Sequence, residues 1–289
     1  MITRRYFLRQ LAILGLMIVH PFRLFVQSTQ ASPVQTPDSG AVHKTIGDHF
    51  AGEELGYDVD FWFLKRVATA KMHFTRLPER GRYAATLKGQ TVGLVGWLSR
   101  YRVDSYRAVM EEVQGGGRLR SVSFEEYVKI GSKVRKNNHY FDHDKGIWVH
   151  ETSRRDGTMI RRQHPIPKGK SYDDFVTASY NFRYQVYGTV ERGKRFVVPT
   201  FPRKGPSSYE IKIAPKGEEE ARRKKERPGE DSSFFITLTL DPEVVNSKEG
   251  VIEGWLADGL YPVSGTIKDA VLFGDVKGRL IKRTKTDRS

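Results

Sequence analysis

Apolar and polar residues alternate along much of this chain from about residue 54 onward, and this period of two limits the possible folds more than any other feature. In the first such segment the apolar positions are Leu55, Tyr57, Val59, Phe61 and Phe63, and the polar positions are Glu54, Asp58 and Asp60. Successive side chains of a β-strand point to opposite faces, so the pattern predicts a strand with one buried face. A second alternating run at residues 68–75 follows a short connection near Lys65 and Arg66, and the two runs predict a β-hairpin.

Strand-like segments recur along the rest of the chain. They lie at residues 83–91, 99–112, 119–136, 147–151, 196–201, 209–213, 234–240 and 263–273. Turns rich in glycine or aspartate at residues 115–117 and 142–146 suit short antiparallel connections. The chain is therefore predicted to be all-β, with a single curved antiparallel sheet or a β-barrel-like domain. The alternative is two β subdomains that are joined around residues 188–195.

One segment departs from the period of two. Apolar and aromatic residues repeat every three to four positions there, which predicts one helix at about residues 172–187 with Asp173 or Asp174 as its N-cap. The aromatic face of this helix has to be buried, so we expect it against the concave side or the mouth of the sheet. Residues 217–231, by contrast, carry mostly charges and are predicted to form a solvated loop.

The amino terminus has the pattern of an export signal. Its residues are Arg4, Arg5, Phe7 and Leu8, followed by an apolar run at residues 11–19. This arrangement is similar to a twin-arginine signal, in which a receptor reads two guanidinium groups. The run is shorter than the about 20 residues that a transmembrane helix needs, so cleavage near Ala31 is predicted. An uncleaved form that stays tethered to the membrane is the alternative.

These observations divide the chain into four parts. They are a twin-arginine-type signal peptide at residues 1–31, a flexible spacer at residues 32–47, a β-barrel-like domain at residues 48–281 and a basic tail at residues 282–289. The mature protein is predicted to be periplasmic, with the export receptor as partner of the signal peptide and no stable membrane span after cleavage. The sequence contains no cysteine, which excludes disulfides, thiolate metal sites and a lipid anchor on cysteine.

The chain is strongly basic, with a formal net charge of +15. Removal of residues 1–31 would take away four arginines and no acidic residue, so the mature protein would keep a net charge of +11. For an exported protein, this charge favours an anionic or amphipathic envelope component as partner, such as a lipid headgroup, a lipopolysaccharide phosphate or an acidic glycan. Nucleic acid is not expected as a partner.

No segment has the spacing of a known catalytic motif. A Gly-x-Ser-x-Gly elbow, a Ser-x-x-Lys pair and a phosphate-binding glycine loop are absent from the sequence. The residue types that bind metals cluster at His139, Asp142, His143 and His150, but their spacing matches no zinc motif and suits a polar hairpin turn. The sequence therefore predicts no catalytic residue, no metal site and no cofactor.

Two sets of residues are candidates for contact with a ligand. Trp62, Phe182 and Tyr184 are candidates for apolar contact, and Arg154, Arg155, Arg161 and Arg162 are candidates for binding an anionic headgroup. A place in the core is the alternative for the aromatic residues. The arginines also suit a solvated strand edge that discourages pairing with another chain.

Three short motifs carry a resemblance to a known family. They are FAGEELGYDV at residues 50–59, YDDFVTASYNFR at residues 172–183, and GWLAD at residues 254–258 with Pro262 and Val263 after it. In this order they resemble the bacterial domain-of-unknown-function family 3108, a group of exported envelope proteins. The resemblance covers roughly residues 48–281 and implies a single antiparallel β-barrel-like domain behind a signal peptide, with no established activity and no functional residue. Within these motifs, Arg183 on the predicted helix could reach Glu53 or Asp258 in a structural ion pair.

Three classes of function fit these features. The leading hypothesis is non-enzymatic binding of an amphipathic envelope ligand, such as a lipid or a lipopolysaccharide component, in an apolar concavity with the helix as its cover. The alternative is a structural or protein-binding envelope protein, because an exposed sheet edge pairs readily with another chain. An envelope hydrolase is the third class, although the sequence shows no convergent set of catalytic residues.

Overall fold

Antiparallel strands dominate the structure. The computed structural model describes residues 44–153, 158–201, 208–240, 247, 249–271 and 274–286. The strands of this described part are β1 (Glu53–Phe61), β2 (Leu64–Arg76), β3 (Arg82–Thr91), β4 (Val103–Val113), β5 (Arg118–Ile130), β6 (Lys133–Asp142), β7 (Ile147–Ser153), β8 (Met159–Pro165), β9 (Arg195–Pro199), β10 (Ser208–Ile213), β11 (Phe234–Thr239), β12 (Val251–Leu256), β13 (Pro262–Val271) and β14 (Gly274–Lys285).

These strands form one continuous sheet in the order β8-β7-β6-β5-β4-β3-β2-β1-β14-β13-β12-β11-β10-β9. Pairing of β1 with β14 joins the amino-terminal and carboxy-terminal groups of strands, so they form one sheet and not two. The prediction of an all-β chain with a single antiparallel sheet is therefore confirmed. In the described residues β8 and β9 end the sheet without pairing with each other, so the sheet is open and the closed-barrel form of the prediction is not observed.

Four α-helices accompany the sheet in the described residues: α1 (Ile46–Phe50), α2 (Gly93–Leu98), α3 (Phe175–Arg183) and α4 (Lys216–Glu226). Helix α3 confirms the helix predicted at about residues 172–187. Of the two candidate N-caps, Asp174 is the one used, because its carboxylate accepts the backbone N–H groups of Val176 and Thr177 at 2.8 and 2.9 Å. The helix ends shortly before Gln185, which takes a left-handed φ of 62°.

Helix α4 occupies most of the segment at residues 217–231, so the prediction of a solvated loop there is wrong. Acidic residues in its first turn and basic residues in its last turn complement the helix dipole. Its side chains also find partners on other elements: Arg222 pairs with Glu253 on β12 at 2.5 Å, and Glu219 pairs with Arg192 at 2.9 Å. These partners are distant in sequence, so the charge pattern of the segment alone does not reveal them.

The sheet curves around helix α3, which fills its concave side. Val176 and Tyr180 pack with a core cluster that draws on α1 and on strands from β1 to β7. Phe182 packs in a second cluster, which draws on strands from β9 to β12. A polar contact fixes the position of the helix, because the Asn181 amide donates to the backbone O of Leu119 at 2.8 Å and accepts its N–H at 2.9 Å. The concave side is thus occupied by the chain's own side chains.

The first hairpin turns earlier than the alternation predicts. Its turn consists of Trp62 and Phe63, not of residues near Lys65 and Arg66. The cause is Asp60, a buried carboxylate that accepts the Arg66 backbone N–H at 2.8 Å and the Lys65 ammonium at 3.1 Å. Folding these donors back onto Asp60 requires the chain to reverse between them.

Other boundaries also differ from the prediction. The predicted strand at residues 119–136 is two strands, β5 and β6, because Gly131 takes a φ of 60° in a turn between them. Strands β8, β12 and β14 are not among the predicted strands. Helix α1 begins inside the predicted spacer at residues 32–47, and β14 extends to Lys285 inside the predicted basic tail, so regular structure reaches beyond the predicted domain bounds of 48 and 281 at both ends.

The predicted export signal lies outside the described residues. This applies to Arg4, Arg5, Phe7 and Leu8 and to the cleavage position near Ala31. Export and a periplasmic location therefore stay predictions. None of the helices in the described ranges has the length and hydropathy that a membrane-spanning helix requires.

Candidate functional site

Three connections meet at one end of the sheet. They are the β1–β2 turn, the β3–β4 connection that contains α2, and the β5–β6 turn. The N–H of Val92 donates to the O of Val67 at 2.8 Å, which holds the second connection beside the first, and the N–H of Gly131 donates to the O of Arg100 at 3.0 Å, which holds the third beside the second. We call residues 62–66, 92–102 and 131–135 together the rim.

Most large apolar side chains that the described residues expose lie on the rim. Trp62, Phe63, Leu94, Trp97 and Tyr101 are each between 59% and 73% exposed, and Leu64 and Val134 are exposed to a smaller extent. They are seven of the eleven large apolar side chains that are exposed in the described ranges. Single exposed apolar residues are ordinary, whereas a group of them on adjacent segments indicates an interaction surface.

Helix α2 directs its apolar residues outward because its inner side is too close to the sheet for a side chain. A Cβ atom at Gly96 would lie 3.0 Å from the backbone O of Thr91 and 3.1 Å from the Tyr101 ring. Gly96 is accordingly buried, while Leu94 and Trp97 are exposed. The short helix therefore presents two large apolar side chains to solvent.

The rim also holds bulky residues in an unfavourable backbone conformation. Trp62, Arg66, Arg100 and Tyr101 have φ values between 48° and 57°. For residues other than glycine, asparagine and aspartate this region costs roughly 1–2 kcal/mol per residue. Glycine would adopt this conformation without that cost, so the aromatic and basic side chains at these four positions are present in spite of their backbone conformation.

Positive charges surround the apolar residues of the rim. Arg100, Lys133 and Arg135 are exposed, and none of them pairs with an acidic side chain within the described residues. Two other bases of the rim do have acidic partners: Lys65 lies 3.1 Å from Asp60, and Arg66 lies 3.4 Å from Asp58. The rim thus combines exposed aromatic side chains with cations that have no internal partner.

Asp60 stabilises the turn that carries Trp62 and Phe63. Burial by itself would raise the pKa of Asp60, but the hydrogen bonds from the Arg66 backbone and from Lys65 outweigh it and hold this pKa below its ordinary value. The carboxylate is therefore charged at neutral pH and holds both donors in place.

The structure does not bring the predicted ligand residues together. Trp62 lies on the rim. Phe182 is buried in the core, and the Tyr184 hydroxyl donates to the backbone O of Lys44 at 2.7 Å. Arg161 and Arg162 lie on the edge strand β8, seven strand spacings from β1, and as neighbours they point to opposite faces of the sheet. Arg154 and Arg155 lie outside the described residues.

Sequence reasoning missed most of the rim. Phe63 was assigned to a buried strand face, and Leu94, Trp97 and Tyr101 were not singled out. One signal could have found them: residues 93–98 form a short apolar run interrupted by glycines and followed by two arginines, which is unusual between two amphipathic strands. The adjacency of this run to the first hairpin becomes visible only with the sheet order.

The histidine cluster has a different role. His139, on β6, is buried; the Trp148 indole N–H donates to its Nδ1 at 3.2 Å, and its Nε2 lies 3.6 Å from Glu126 Oε1. His150 stacks on His139 with ring centroids 4.5 Å apart. Burial, followed by the nearby His139, lowers the pKa of His150 to about 4, so this ring is uncharged at neutral pH. The cluster is a packed polar part of the core.

The remaining residues of metal-binding type have other partners. A His143 ring nitrogen lies 2.7 Å from the backbone O of Ser121, and Asp142 accepts the backbone N–H and the ammonium of Lys145 at 3.0 and 2.7 Å. Within the described part of the chain, no group of three or more histidine, cysteine, aspartate or glutamate side chains is arranged to hold a metal ion.

Comparisons with known proteins give a family and one distant structural likeness. Residues 56–280 match the model of a family described as protein of unknown function, DUF3108. The crystal structure of a DUF1089 family protein from Pseudomonas aeruginosa is similar at 10% sequence identity and a TM-score of 0.26, over 83% of this chain and 95% of that chain. No curated protein matches the chain.

Proposed function

The chain belongs to the DUF3108 family of proteins of unknown function, and we propose that it is a non-enzymatic envelope protein that binds the surface of an anionic lipid membrane through its rim. The observation that carries this proposal is the group of exposed Trp, Phe, Leu and Tyr side chains on three adjacent connections, bordered by Arg and Lys side chains that form no ion pair within the described residues. Aromatic and basic residues in this combination are typical of surfaces that lie in the membrane interface.

The energetics favour reversible attachment. Partial insertion of an apolar side chain yields on the order of 1 kcal/mol, so five such residues yield about 5 kcal/mol, comparable to a single myristoyl chain. Binding of that strength is marginal. Each Lys or Arg near an anionic surface adds about 1 kcal/mol, so cations such as Arg100, Lys133 and Arg135 would convert marginal binding into specific binding to anionic lipid.

The rim replaces the concave interior as the place of lipid contact. The sequence-based hypothesis puts an amphipathic ligand inside the sheet, with the helix as its cover. Helix α3 and its aromatic neighbours fill that space instead, with Phe50, Phe74 and Tyr180 at 2% exposure or less. The proposed ligand is therefore still an amphipathic envelope component. The surface that contacts it is proposed to be the rim, at the end of the sheet.

A protein partner is the second candidate function. The open edges of the sheet at β8 and β9, as seen in the described residues, favour it because an edge strand can pair with an extended segment of another chain. Trp, Tyr, Phe and Arg, which the rim exposes, are also enriched in protein interfaces, so the same surface would suit a protein partner.

The experiment uses the intrinsic tryptophans of the full chain. Trp62 and Trp97 are exposed on the rim, Trp148 and Trp255 are buried, and residues 1–43 contain no tryptophan. Vesicles that contain anionic lipids brominated in the acyl chains should quench Trp62 and Trp97, because bromine quenches only at close approach. In the variant Trp62→Phe/Trp97→Phe the fluorescence that remains should be insensitive to the vesicles.

A second set of variants tests whether the rim drives binding. Phe63→Ser/Leu94→Ser should lower the affinity for vesicles at least tenfold without loss of folding, because both side chains are exposed. Tyr140→Ser is the matched control, since Tyr140 is exposed on β6 away from the rim. Sedimentation of the protein with vesicles without quenching of Trp62 or Trp97 would show that another segment makes the contact.

A further inference from the structure

A groove lies next to the rim on the outer face of the sheet, opposite helix α3. It has a volume of about 340 Å³ and is lined by Lys88, Val103, Ser105, Glu125, Tyr127 and Lys129. The strand register aligns Lys88, Ser105, Tyr127 and Lys136 in one row across four strands. A second row, which contains Val103, Lys129 and the rim residue Val134, lies between the first row and the rim.

The lysines of this groove lack acidic partners. Within the described residues Lys88 and Lys129 form no ion pair, and the Lys136 ammonium lies over the Tyr127 ring, 5.7 Å from its centroid. Glu125 is the acidic residue of the lining, so the lining has two positive charges and one negative charge, and Lys136 adds a third positive charge beside it in the same row.

Two bases elsewhere on the same face of the sheet are paired. Arg120 pairs with Glu111 at 2.6 Å, and Arg161 lies 3.8 Å from Glu151. An excess of unpaired ammonium groups beside two hydroxyl groups favours an anion with several oxygen atoms.

The distance of the groove from the rim suits the depth profile of a membrane surface. Lys129 shares its row with Val134, and the row of Lys88 and Lys136 is two residues further along the strands, which corresponds to about 7 Å. Apolar side chains of interfacial proteins penetrate about 5–10 Å into the boundary between headgroups and acyl chains. With the rim inserted to that depth, the lysines lie at the level of the lipid phosphates.

We propose that this groove binds the phosphate group of an anionic membrane lipid whose acyl chains contact the rim. This inference rests on the proposed function and specifies its lipid class. The ammonium groups of Lys88, Lys129 and Lys136 neutralise the phosphate charge, and the hydroxyls of Ser105 and Tyr127 donate to its oxygens. The Glu125 carboxylate repels the phosphate, but this repulsion is weak because Glu125 is exposed and screened by solvent and salt.

The test compares two double variants of the full chain on vesicles of phosphatidylcholine, with and without phosphatidic acid. Lys88→Gln/Lys129→Gln should lower the affinity for phosphatidic acid vesicles about thirtyfold, which is the effect of removing two lysines from an anionic surface. Its affinity for pure phosphatidylcholine vesicles should not change. The matched control is Lys224→Gln/Lys225→Gln, which removes the same charge from exposed positions on α4 and should change the affinity less than threefold.

The outcomes separate this inference from the proposed function. Equal losses in the two double variants, with quenching of Trp62 and Trp97 retained, would overturn the phosphate groove and leave membrane binding by the rim intact. Absence of quenching on every vesicle would overturn both. Inorganic phosphate that binds the full chain, with loss of this binding in Lys88→Gln/Lys129→Gln and no binding to vesicles, would identify a site for free phosphate and overturn the lipid assignment.

Discussion

Arg183 makes a buried ion pair at the junction of helix α3 and β1. Its Nη2 donates to Glu53 Oε1 at 2.8 Å, and its Nη1 lies 2.7 Å from Glu53 Oε2. The guanidinium also lies over the rings of Phe50 and Tyr180, 4.7 and 5.2 Å from their centroids. Both charges are buried, so each depends on the other for compensation.

We expect Arg183→Met to destabilise the protein by about 3–5 kcal/mol, because it leaves the carboxylate of Glu53 buried without its main partner. The double variant Glu53→Met/Arg183→Met should lose less, since it removes both charges and keeps apolar volume. Urea unfolding gives both free energies. Arg195→Met is the control, because it removes an exposed ion pair and should change the free energy of unfolding by less than about 1 kcal/mol. Equal losses for Arg183→Met and the double variant would contradict the argument.

Asp174 gives the stability a dependence on pH with a definite sign. Its carboxylate accepts four hydrogen bonds, from Ser121 Oγ, from the backbone N–H groups of Val176 and Thr177 and from Thr177 Oγ1. Burial nevertheless raises the pKa of Asp174 to about 6. The folded state therefore holds this proton up to a higher pH than the unfolded chain, whose aspartates have a pKa of about 3.9.

The stability that this proton provides should be complete below about pH 4 and should be lost as the pH rises through about 6, a difference of roughly 3 kcal/mol. Asp174→Asn keeps an N-cap and removes the titration, so its unfolding free energy should vary less over this range than that of the unmodified protein. Burial also raises the pKa of the neighbouring Asp173, so the comparison between the two proteins isolates the contribution of Asp174. Parallel pH profiles would contradict the assignment.

At this scale the sequence could predict some contacts and not others. The pair of Arg183 with Glu53 was one of two alternatives, and the structure confirms it. The exposure of Phe63 was not predictable from alternation, because the position of the turn depends on donors to Asp60 that follow it in the chain. A period of two shows which residues share a face but not where the strand ends.

Helix α2 is the element whose geometry determines how the rim is presented. Gly96 lies in close contact with the backbone of Thr91 and the ring of Tyr101, so the helix can approach β2 and β3 only without a side chain at this position. Its surroundings leave no room for even a methyl group without movement.

Gly96→Val should displace α2 and reduce the quenching of Trp97 by brominated anionic vesicles while Trp62 stays quenched, because the first hairpin does not depend on Gly96. We expect a loss of about 1–3 kcal/mol in the free energy of unfolding, as for other overpacked sites. The quenching of Trp97 is measured in a protein that also carries Trp62→Phe, and the quenching of Trp62 is measured in one that also carries Trp97→Phe. Gly229→Val is the control, since no atom lies within 4 Å of a Cβ at Gly229; unaltered quenching of Trp97 in Gly96→Val would contradict this role for α2.

Helices α3 and α4 show what periodicity can and cannot predict. Helix α3 has an aromatic stripe that is buried against the sheet on both sides, so its sequence pattern was sufficient to predict a helix. Helix α4 has almost no apolar residues, and it is held by ion pairs and by Arg223 over the ring of Trp255, 4.7 Å from its centroid. Such partners come from strands far along the chain, and no local pattern indicates them.

At the scale of the whole molecule, the fold class followed from alternation, whereas the rim did not. The rim consists of three connections separated by about 30 residues each, and only the strand order places them side by side. Pairing of β1 with β14 in the middle of the sheet was equally invisible, because β14 follows β1 by more than 200 residues. Local composition cannot specify such non-local pairings.

Export is a property of the whole chain and is predicted from its first residues. Arg4→Lys/Arg5→Lys should leave precursor in the cytoplasm, because a lysine ammonium does not reproduce the planar guanidinium that the twin-arginine receptor reads. Cell fractionation and immunoblotting provide the measurement, with Arg23→Lys as the control for loss of an arginine beyond the motif. Unchanged export of the double variant would show that the motif is incidental.

The net charge of +15 leads to a prediction about salt that distinguishes the two contributions to membrane binding. The screening length falls from about 10 Å at 0.1 M salt to about 3 Å at 1 M, so the attraction of cations such as Lys88, Lys129 and Arg100 to anionic lipid should weaken strongly over this range. Contact of Trp62 and the other apolar side chains with lipid should persist, because burial of apolar surface does not depend on charge. We therefore expect the affinity for phosphatidic acid vesicles, measured by quenching of the rim tryptophans, to fall with salt to the level found for phosphatidylcholine and then to level off. Complete loss of binding at high salt would mean that the apolar residues of the rim contribute nothing to it. An affinity that does not change with salt would mean that the cations contribute nothing.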